Sequence, residues 1–201
     1  MSIDTAEILR SLYLAPKERA IKKQLGMLDV HCRRFIALSP FVVVASTSPA
    51  FTMDASPRGG PPGFVRTPGE RTLLIPDAPG NNRLDTLDNI IGTGKVGLLF
   101  MIPGVDETLR VNGDARLSDS TAYIDLFAGE KRRPKLVIEV TVIEAYLHCA
   151  KALLRSELWQ VSSQIDRSAL PTAGQMISEQ TGIHVPAETR EEMAARYAPD
   201  L

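Results

Sequence analysis

The chain has little cysteine: of 201 residues only Cys32 and Cys149 carry a thiol. Two thiols cannot build a disulfide framework, so nothing points to an oxidising compartment. Each adjoins a histidine directly (His31, His148) instead of standing at the spacing of zinc ligands, and no metal is expected. Aromatics are scarce at 5%, which leaves few stacking platforms for single-stranded nucleic acid. An excess of one charge is also missing. Lys+Arg number 23 and Asp+Glu 24, a formal net charge of −1, whereas surfaces that track phosphates are markedly basic. No nucleic-acid partner is therefore expected. The longest apolar runs, around Phe41–Ala45 and Val96–Ile102, fall far short of a membrane span. The N-terminus, with Asp4 and Glu7, does not read as a signal peptide. A cytoplasmic protein with no membrane partner is the expectation. The GxSxG, HExxH, P-loop and Rossmann patterns do not occur, and Gly92 and Gly94 precede a strand instead of following one.

What is present is enough chain for one good core, 22.0 kDa, with 14 glycines and 14 prolines to make turns. Over residues 5–37, Ile8, Leu12, Ile21, Leu25, Leu28, Cys32 and Phe35 recur at three- and four-residue spacing, a helical pattern that Pro16 divides in two. The β-branched run Phe41–Thr47 predicts a strand. Residues 54–63, DASPRGGPPG, read as a loop because glycine and proline are so dense. Phe64–Arg66 and Thr72–Ile75 read as a hairpin around Pro68-Gly69, followed by a second loop, PDAPGNN. Leu84, Leu87, Ile90 and Ile91 predict a helix capped by Asn81 or Asn82. Strands are expected over 96–102 (buried on both faces), 107–117 and 136–146, with a short helix near 120–127. Helical patterns return from Cys149 through Trp159, over 172–180 and over 187–196. About six strands with mostly short connections favour an antiparallel small barrel of the α+β class, mainly β. Its expected organisation is a helical segment at 1–38, the barrel at 39–148 and a helical extension at 149–201, within a single domain.

Four groups of residues are candidates for chemistry. Ser56-Pro57-Arg58-Gly59 combines a close-approaching backbone with hydroxyl and guanidinium donors, which suits a phosphate; the plain alternative is a surface turn. Asn81-Asn82-Arg83 opens a helix, where free N–H groups and the dipole favour an anion; the alternative is an ordinary cap with Arg83 in solvent. Thr108, Arg110 and Asn112 share one face of a strand, either lining a ligand groove or simply wet. Lys151, Arg155 and Trp159 fall at successive four-residue steps of the C-terminal helix, a stripe suited to an anionic aromatic partner or to solvent. His148 is expected at a strand end, off that stripe, and no catalytic acid or base is identified.

The motifs SPFVVVAS, DASPRGGPPGFV, LLIPDAPGNNRLDTLDNI, KVGLLFMIPGVDETLRVNG and HCAKALLRSELW, taken in order, resemble the FMN-binding split-barrel proteins of the pyridoxamine 5′-phosphate oxidase class. They cover roughly half of the chain and look most like a bacterial FMN-dependent subgroup. The resemblance implies a six-stranded, mostly antiparallel split β-barrel with flanking helices, and a homodimer with flavin at the subunit interface. The family's Ser-Arg-Lys phosphate motif falls on Asn81, Asn82 and Arg83, and its flavin-contacting Gln on Thr108, with Arg110 two residues on. Its early Arg-x-Val-Leu-Leu-Lys strand is not matched by Gly63–Arg66, and Ser56 and Arg58 are inferred to replace those cations. Lys151, Arg155 and Trp159 would approach the flavin from the partner subunit. The C-terminal Arg-x-His motif for pyridoxine phosphate is missing, so oxidation of that substrate is not implied. The implied activity is an FMN-dependent oxidoreductase passing hydride through flavin N5 to a small organic substrate. A non-catalytic flavin-binding or sensing protein, or the same barrel holding deazaflavin or haem, remain the alternatives.

Overall fold

Strand alternation organises the molecule, for which a computed structural model describes residues 2–184, 186 and 188–200. Strand β1 (Phe41–Thr47) buries Val42, Val44 and Ser46, while Phe41, Val43, Ala45 and Thr47 are half-buried on its other side. The same period runs through β5 (Lys95–Met101), β6 (Thr108–Ser118) and β7 (Val137–His148). With β2 (Met53–Gly59), β3 (Arg66–Gly69) and β4 (Thr72–Pro76) they form one antiparallel sheet in the order β2-β1-β5-β6-β7-β4-β3. This is the split-barrel architecture the resemblance implied, with seven strands in place of six.

The sheet curls around Val42, Val44, Leu73, Ile75, Leu98, Phe100, Leu109, Val111 and Val140, all essentially inaccessible. Helices α3 (Val30–Leu38) and α4 (Asp85–Thr93) close the interior with Cys32, Ile36, Leu87 and Ile90. Burial pushes the Cys32 thiol up to about 12, so it is packing and not a nucleophile. A smaller cluster, Leu74, Ile124, Phe127 and Val137, seats the short helix α5 (Thr121–Ile124). Strand β6 bends at Asn112/Gly113, where a Cβ on Gly113 would collide with the Thr141 backbone oxygen. Leu25 exchanges both backbone hydrogen bonds with Ala145, which ties the entering chain to the far half of β7.

Several sequence expectations are corrected. Residues 53–59 form a strand where a loop was expected: β2 is an edge strand, so Pro57 needs no ladder donor toward a second neighbour. The hairpin turns at Glu70-Arg71, not at Pro68-Gly69, because Gly69 pairs with Thr72. The N-terminal region has three helices, α1 (Ala6–Ser11), α2 (Glu18–Lys22) and α3, since the Leu25 bridge interrupts the pattern. Strand β5 alternates buried and half-buried positions where burial on both faces was expected. The C-terminal helix α6 (Lys151–Ser156) stops at Glu157, which is left-handed at φ 51°, short of Trp159. Helices α7 (Ala173–Thr181) and α8 (Arg190–Tyr197) follow; residue 187 of the expected last segment lies outside the described residues. Among the described residues no helix is long and apolar enough to cross a membrane.

One charged network spans the sheet. Arg116 Nε donates to Glu139 at 2.7 Å and Tyr123 Oη donates to its other oxygen at 3.0 Å. The Arg116 bond, helped by Tyr123 and opposed by burial, holds the Glu139 carboxyl below the usual carboxylate range. A carboxyl depressed in the folded state stabilises above its unfolded pKa, and that contribution is lost as pH falls through the folded value. Glu139→Gln is therefore expected to lower Tm by about 2–4 °C at neutral pH. The difference should shrink as the medium is acidified below about pH 4. Thermal melts across that range check it; parallel curves for the two proteins contradict it.

Candidate functional site

Because β2 is a strand, Asp54, Ser56 and Arg58 point to one side of it. The register pairs Asp54 with Ser46, Ser56 with Val44 and Arg58 with Val42, so this is the interior side, over which α4 lies. The first turn of α4 completes the arrangement. Thr86 is almost fully buried, at 2% exposure, and its hydroxyl donates to Asp54 Oδ2 at 2.6 Å. Ser56 Oγ donates to Asp54 Oδ1 at 2.9 Å. Arg58 Nη2 donates to Thr86 Oγ1 at 3.3 Å and its Nη1 to the Pro57 carbonyl at 2.9 Å. Behind them Asn89 Nδ2 donates to Ser46 Oγ at 3.0 Å. A guanidinium is thus held by neutral oxygens beside the first turn of a helix. Among the described residues it forms no salt bridge.

The loop between β4 and α4 borders this cluster. Asp77 donates its backbone N–H to the Leu136 carbonyl at 3.0 Å, which brings Lys135 alongside. Burial pushes the Asp77 carboxyl up, and the nearby charges of Arg58 and Lys135 pull it back. Asn81 accepts from the Arg83 backbone N–H at 3.1 Å, and Asn82 and Leu84 are both left-handed, at φ 59° and 61°. The helix cap is therefore Leu84, with no side-chain hydrogen bond, and the expected Asn81 or Asn82 cap is corrected. Arg83 lies in solvent and pairs with Asp85 at 2.8 Å. Gly59 ends β2 against the Pro40 carbonyl.

Thr108 and Arg110 are elsewhere. Arg110 pairs with Leu99, which is continuous through β1 Val43 with Pro57, so it lies on the outer side of the sheet while Ser56 and Arg58 lie inside. Asn112 Nδ2 donates to Glu144 Oε1 at 2.5 Å, and Arg110 Nη2 stands 3.6 Å from the same oxygen. Lys23 and Arg110 both lie over the Tyr146 ring, at 5.3 and 5.6 Å from its centre. Next to it stands His148, opposite Thr108. Burial, then Lys23 and Arg110, pulls the His148 pKa down, which favours the neutral imidazole. A cleft of about 410 Å³ opens on this side, floored by Ala45, Gly97 and Asn112 and walled by Met53, Lys95 and Glu144. A Cβ on Gly97 would come within 3.2 Å of Asn112 Oδ1, so glycine keeps this floor flat.

The predicted Lys151–Arg155–Trp159 stripe does not exist. Lys151 and Arg155 stand exposed on α6, whereas Trp159 has left the helix and donates from Nε1 to the Val105 carbonyl at 2.9 Å. Sequence reasoning passed over Asp54, Asp77, Thr86 and Lys135. Reading 53–59 as a strand reveals Asp54 by its shared parity with Ser56 and Arg58; Lys135 has no local signal, since chain pairing at Asp77 alone delivers it. Among the described residues no group of His, Cys, Asp or Glu is arranged to hold a metal ion. The chemistry available is therefore anion binding at Arg58 on one side and polar recognition over a flat floor on the other.

The family model described as pyridoxamine 5′-phosphate oxidase matches residues 28–149. No curated protein matches the chain. Among solved structures, HupZ from Group A Streptococcus is 18% identical with a TM-score of 0.51, covering 60% of this chain and 94% of that one. An FMN-binding protein from Syntrophomonas wolfei is 12% identical with a TM-score of 0.48, covering 58% and 83%. The FAD binding protein from Mycobacterium smegmatis is 15% identical with a TM-score of 0.43, covering 62% and 97%. At such identities the likeness to HupZ is one of fold.

Thr86 is the joint between α4 and β2. Thr86→Val keeps the shape but leaves Asp54 and Arg58 each short of a buried partner, with an expected loss of about 1–3 kcal/mol. Urea unfolding measures it; a variant as stable as the parent means the hydroxyl does not join the two elements.

Proposed function

This chain belongs to the pyridoxamine 5′-phosphate oxidase family, and from that premise we propose that it is an FMN-binding, homodimeric oxidoreductase acting on a small organic substrate. The observation that carries the flavin reading is the Arg58 guanidinium, half-buried beside the first turn of α4 and, among the described residues, in no salt bridge. A phosphate ester supplies the missing counter-charge, and the helix dipole adds to the attraction. Arg58 and Lys135 would hold it, Ser56 and the Gly59 backbone would assist, and Asn81, Asn82 and Arg83 would border it from the loop.

Strand parity supports the homodimer. Ser56 and Arg58 face the interior side, and Thr108 and Arg110 face the outer side, so one ligand between them requires the second set from another copy. The flat floor at Gly97 and Ala45 suits a planar ring, with Thr108, Arg110 and Asn112 as hydrogen-bonding groups toward its edge. The chemistry a bound flavin supplies is hydride transfer at N5. This chain's part is to position it, to place cations near it and to offer the neutral His148 for proton movement. Lys151 and Arg155, exposed on α6, would add positive charge from the second copy.

Protein purified without added flavin should be yellow, absorb near ~450 nm and release FMN on denaturation. Arg58→Ala should weaken FMN binding by roughly 1.5–3 kcal/mol. Arg83→Ala should cost less than about 1 kcal/mol, because Arg83 is solvated and already paired. Equal losses for both, or none, would misplace the phosphate; a Soret band instead of flavin absorbance would replace the cofactor with haem. Anaerobic reduction of the bound FMN by a nicotinamide donor, followed by reoxidation, separates turnover from mere binding.

A further inference from the structure

The chain exposes far more surface than its mass requires. A compact monomer of 22.0 kDa should expose about 9,300 Å², and this chain exposes 13916 Å². The excess of about 4,600 Å² compares with obligate dimer interfaces of roughly 2,000–5,000 Å² or more. It is concentrated in two arms that the family match leaves out. Of residues 2–24 and of the described residues of 149–201, none is buried. Yet the arms hold Leu12, Leu14, Val161 and Ile165, exposed at 62, 95, 80 and 70%.

Their helices make the same point independently. Helices α1, α7 and α8 have 6, 9 and 8 residues and no buried side chain. Isolated helices shorter than about 12–15 residues are marginal in water, even when well capped. Such helices are sustained by packing, and what ties the C-terminal arm to its own chain is polar: Trp159 to the Val105 carbonyl, Lys131 to the Ala198 carbonyl and Arg132 to Asp200.

Both arms leave the barrel at one place. Leu25 bridges Ala145, Lys23 Nζ donates to the Leu147 carbonyl at 2.6 Å, and the C-terminal arm begins directly after His148. This is the outer side of β6 and β7, continuous with the half-buried face of β1 and β5. The arms also carry opposite charge. Residues 1–24 have five Lys/Arg against three Asp/Glu, and residues 149–201 have five against seven.

We propose that the described residues of 2–24 and 149–200 are clasping arms that close on a second copy of this chain, the basic arm of one copy meeting the acidic arm of the other. Because the contact is isologous, each charge pairing occurs twice. The inference rests on the homodimer proposed for the flavin site and adds which segments hold it together. Without the second copy the apolar residues of the arms stay in water; with it they cover the sheet face on which Thr108 and Arg110 lie.

The test uses the full-length protein. Sedimentation should give twice 22.0 kDa. In dimers re-formed from light and heavy-isotope chains, a carbodiimide should join Lys17 or Lys22 to Glu191 or Glu192 in mixed light–heavy pairs. Ile8→Asp and Ile177→Asp should each raise the dimer dissociation constant by at least about tenfold. Both positions are exposed in the single chain, so the barrel itself should fold, as far-UV circular dichroism would verify. A dimer whose arm cross-links are missing or confined to single-isotope pairs overturns the clasp and leaves the flavin dimer standing. A monomer overturns both, and a monomer that still releases FMN retains only the cofactor.

Discussion

The register between β2 and β1 is the constraint on which the rest depends. Pairing Arg58 with Val42 turns the guanidinium toward the interior side, where the first turn of α4 meets it. A slip of one residue would put Pro57 there and send Ser56 and Arg58 to the outer side. What holds the register is apolar: Val42 and Val44 of β1 are wholly inaccessible, and they can be so only in one alternation. The core thereby aims a cation that it never touches. The same alternation, carried across β5, commits Arg110 to the opposite face. One parity rule thus puts Ser56 and Arg58 on one side of the sheet and Thr108 and Arg110 on the other.

Much of the barrel is legible in the sequence because its strands alternate strongly. Strands β1, β6 and β7 fall within a residue or two of their expected bounds, since Val42/Val44, Leu109/Val111 and Ile138/Val140 leave no other pattern. Strand β2 is hidden for a stated reason. Its composition, MDASPRG, has no apolar alternation, because one face meets Thr86 and the other meets solvent. Proline then argues against a strand, although an edge tolerates it. The loop reading kept Ser56 and Arg58 as candidates but lost Asp54, and with it the hydrogen-bonded cluster.

Helix ends were less legible. Asn82, Leu84 and Glu157 all adopt left-handed backbone that a non-glycine residue enters only when its surroundings hold it there. At Leu84 this moves the cap beyond both asparagines; at Glu157 it ends α6 and releases Trp159 toward Val105. Neither left-handed turn has a local sequence signal, since leucine and glutamate favour helix interiors. The cationic stripe predicted along that helix depended on uninterrupted periodicity, and one residue's φ removes it.

Electrostatics is the argument behind the proposal that the interior-side cluster binds an anion. A buried charge kept for stability is normally paired, because desolvation costs more than neutral acceptors return. Arg116 with Glu139 follows that rule, and so does Arg66 with Glu130. Arg58 does not: Asp54 accepts from Ser56 and Thr86, leaving the guanidinium with one hydroxyl and one carbonyl. The neighbouring Asp77 feels the charges of Arg58 and Lys135, which oppose the upward push of burial on its carboxyl, but it forms no salt bridge with Arg58. Among the described residues Arg58 therefore stands beside a helix start with neutral oxygens as its hydrogen-bond partners. Among the described residues every buried side-chain polar atom has a partner, and the guanidinium without an ion pair beside α4 is the feature on which the proposed anion site rests.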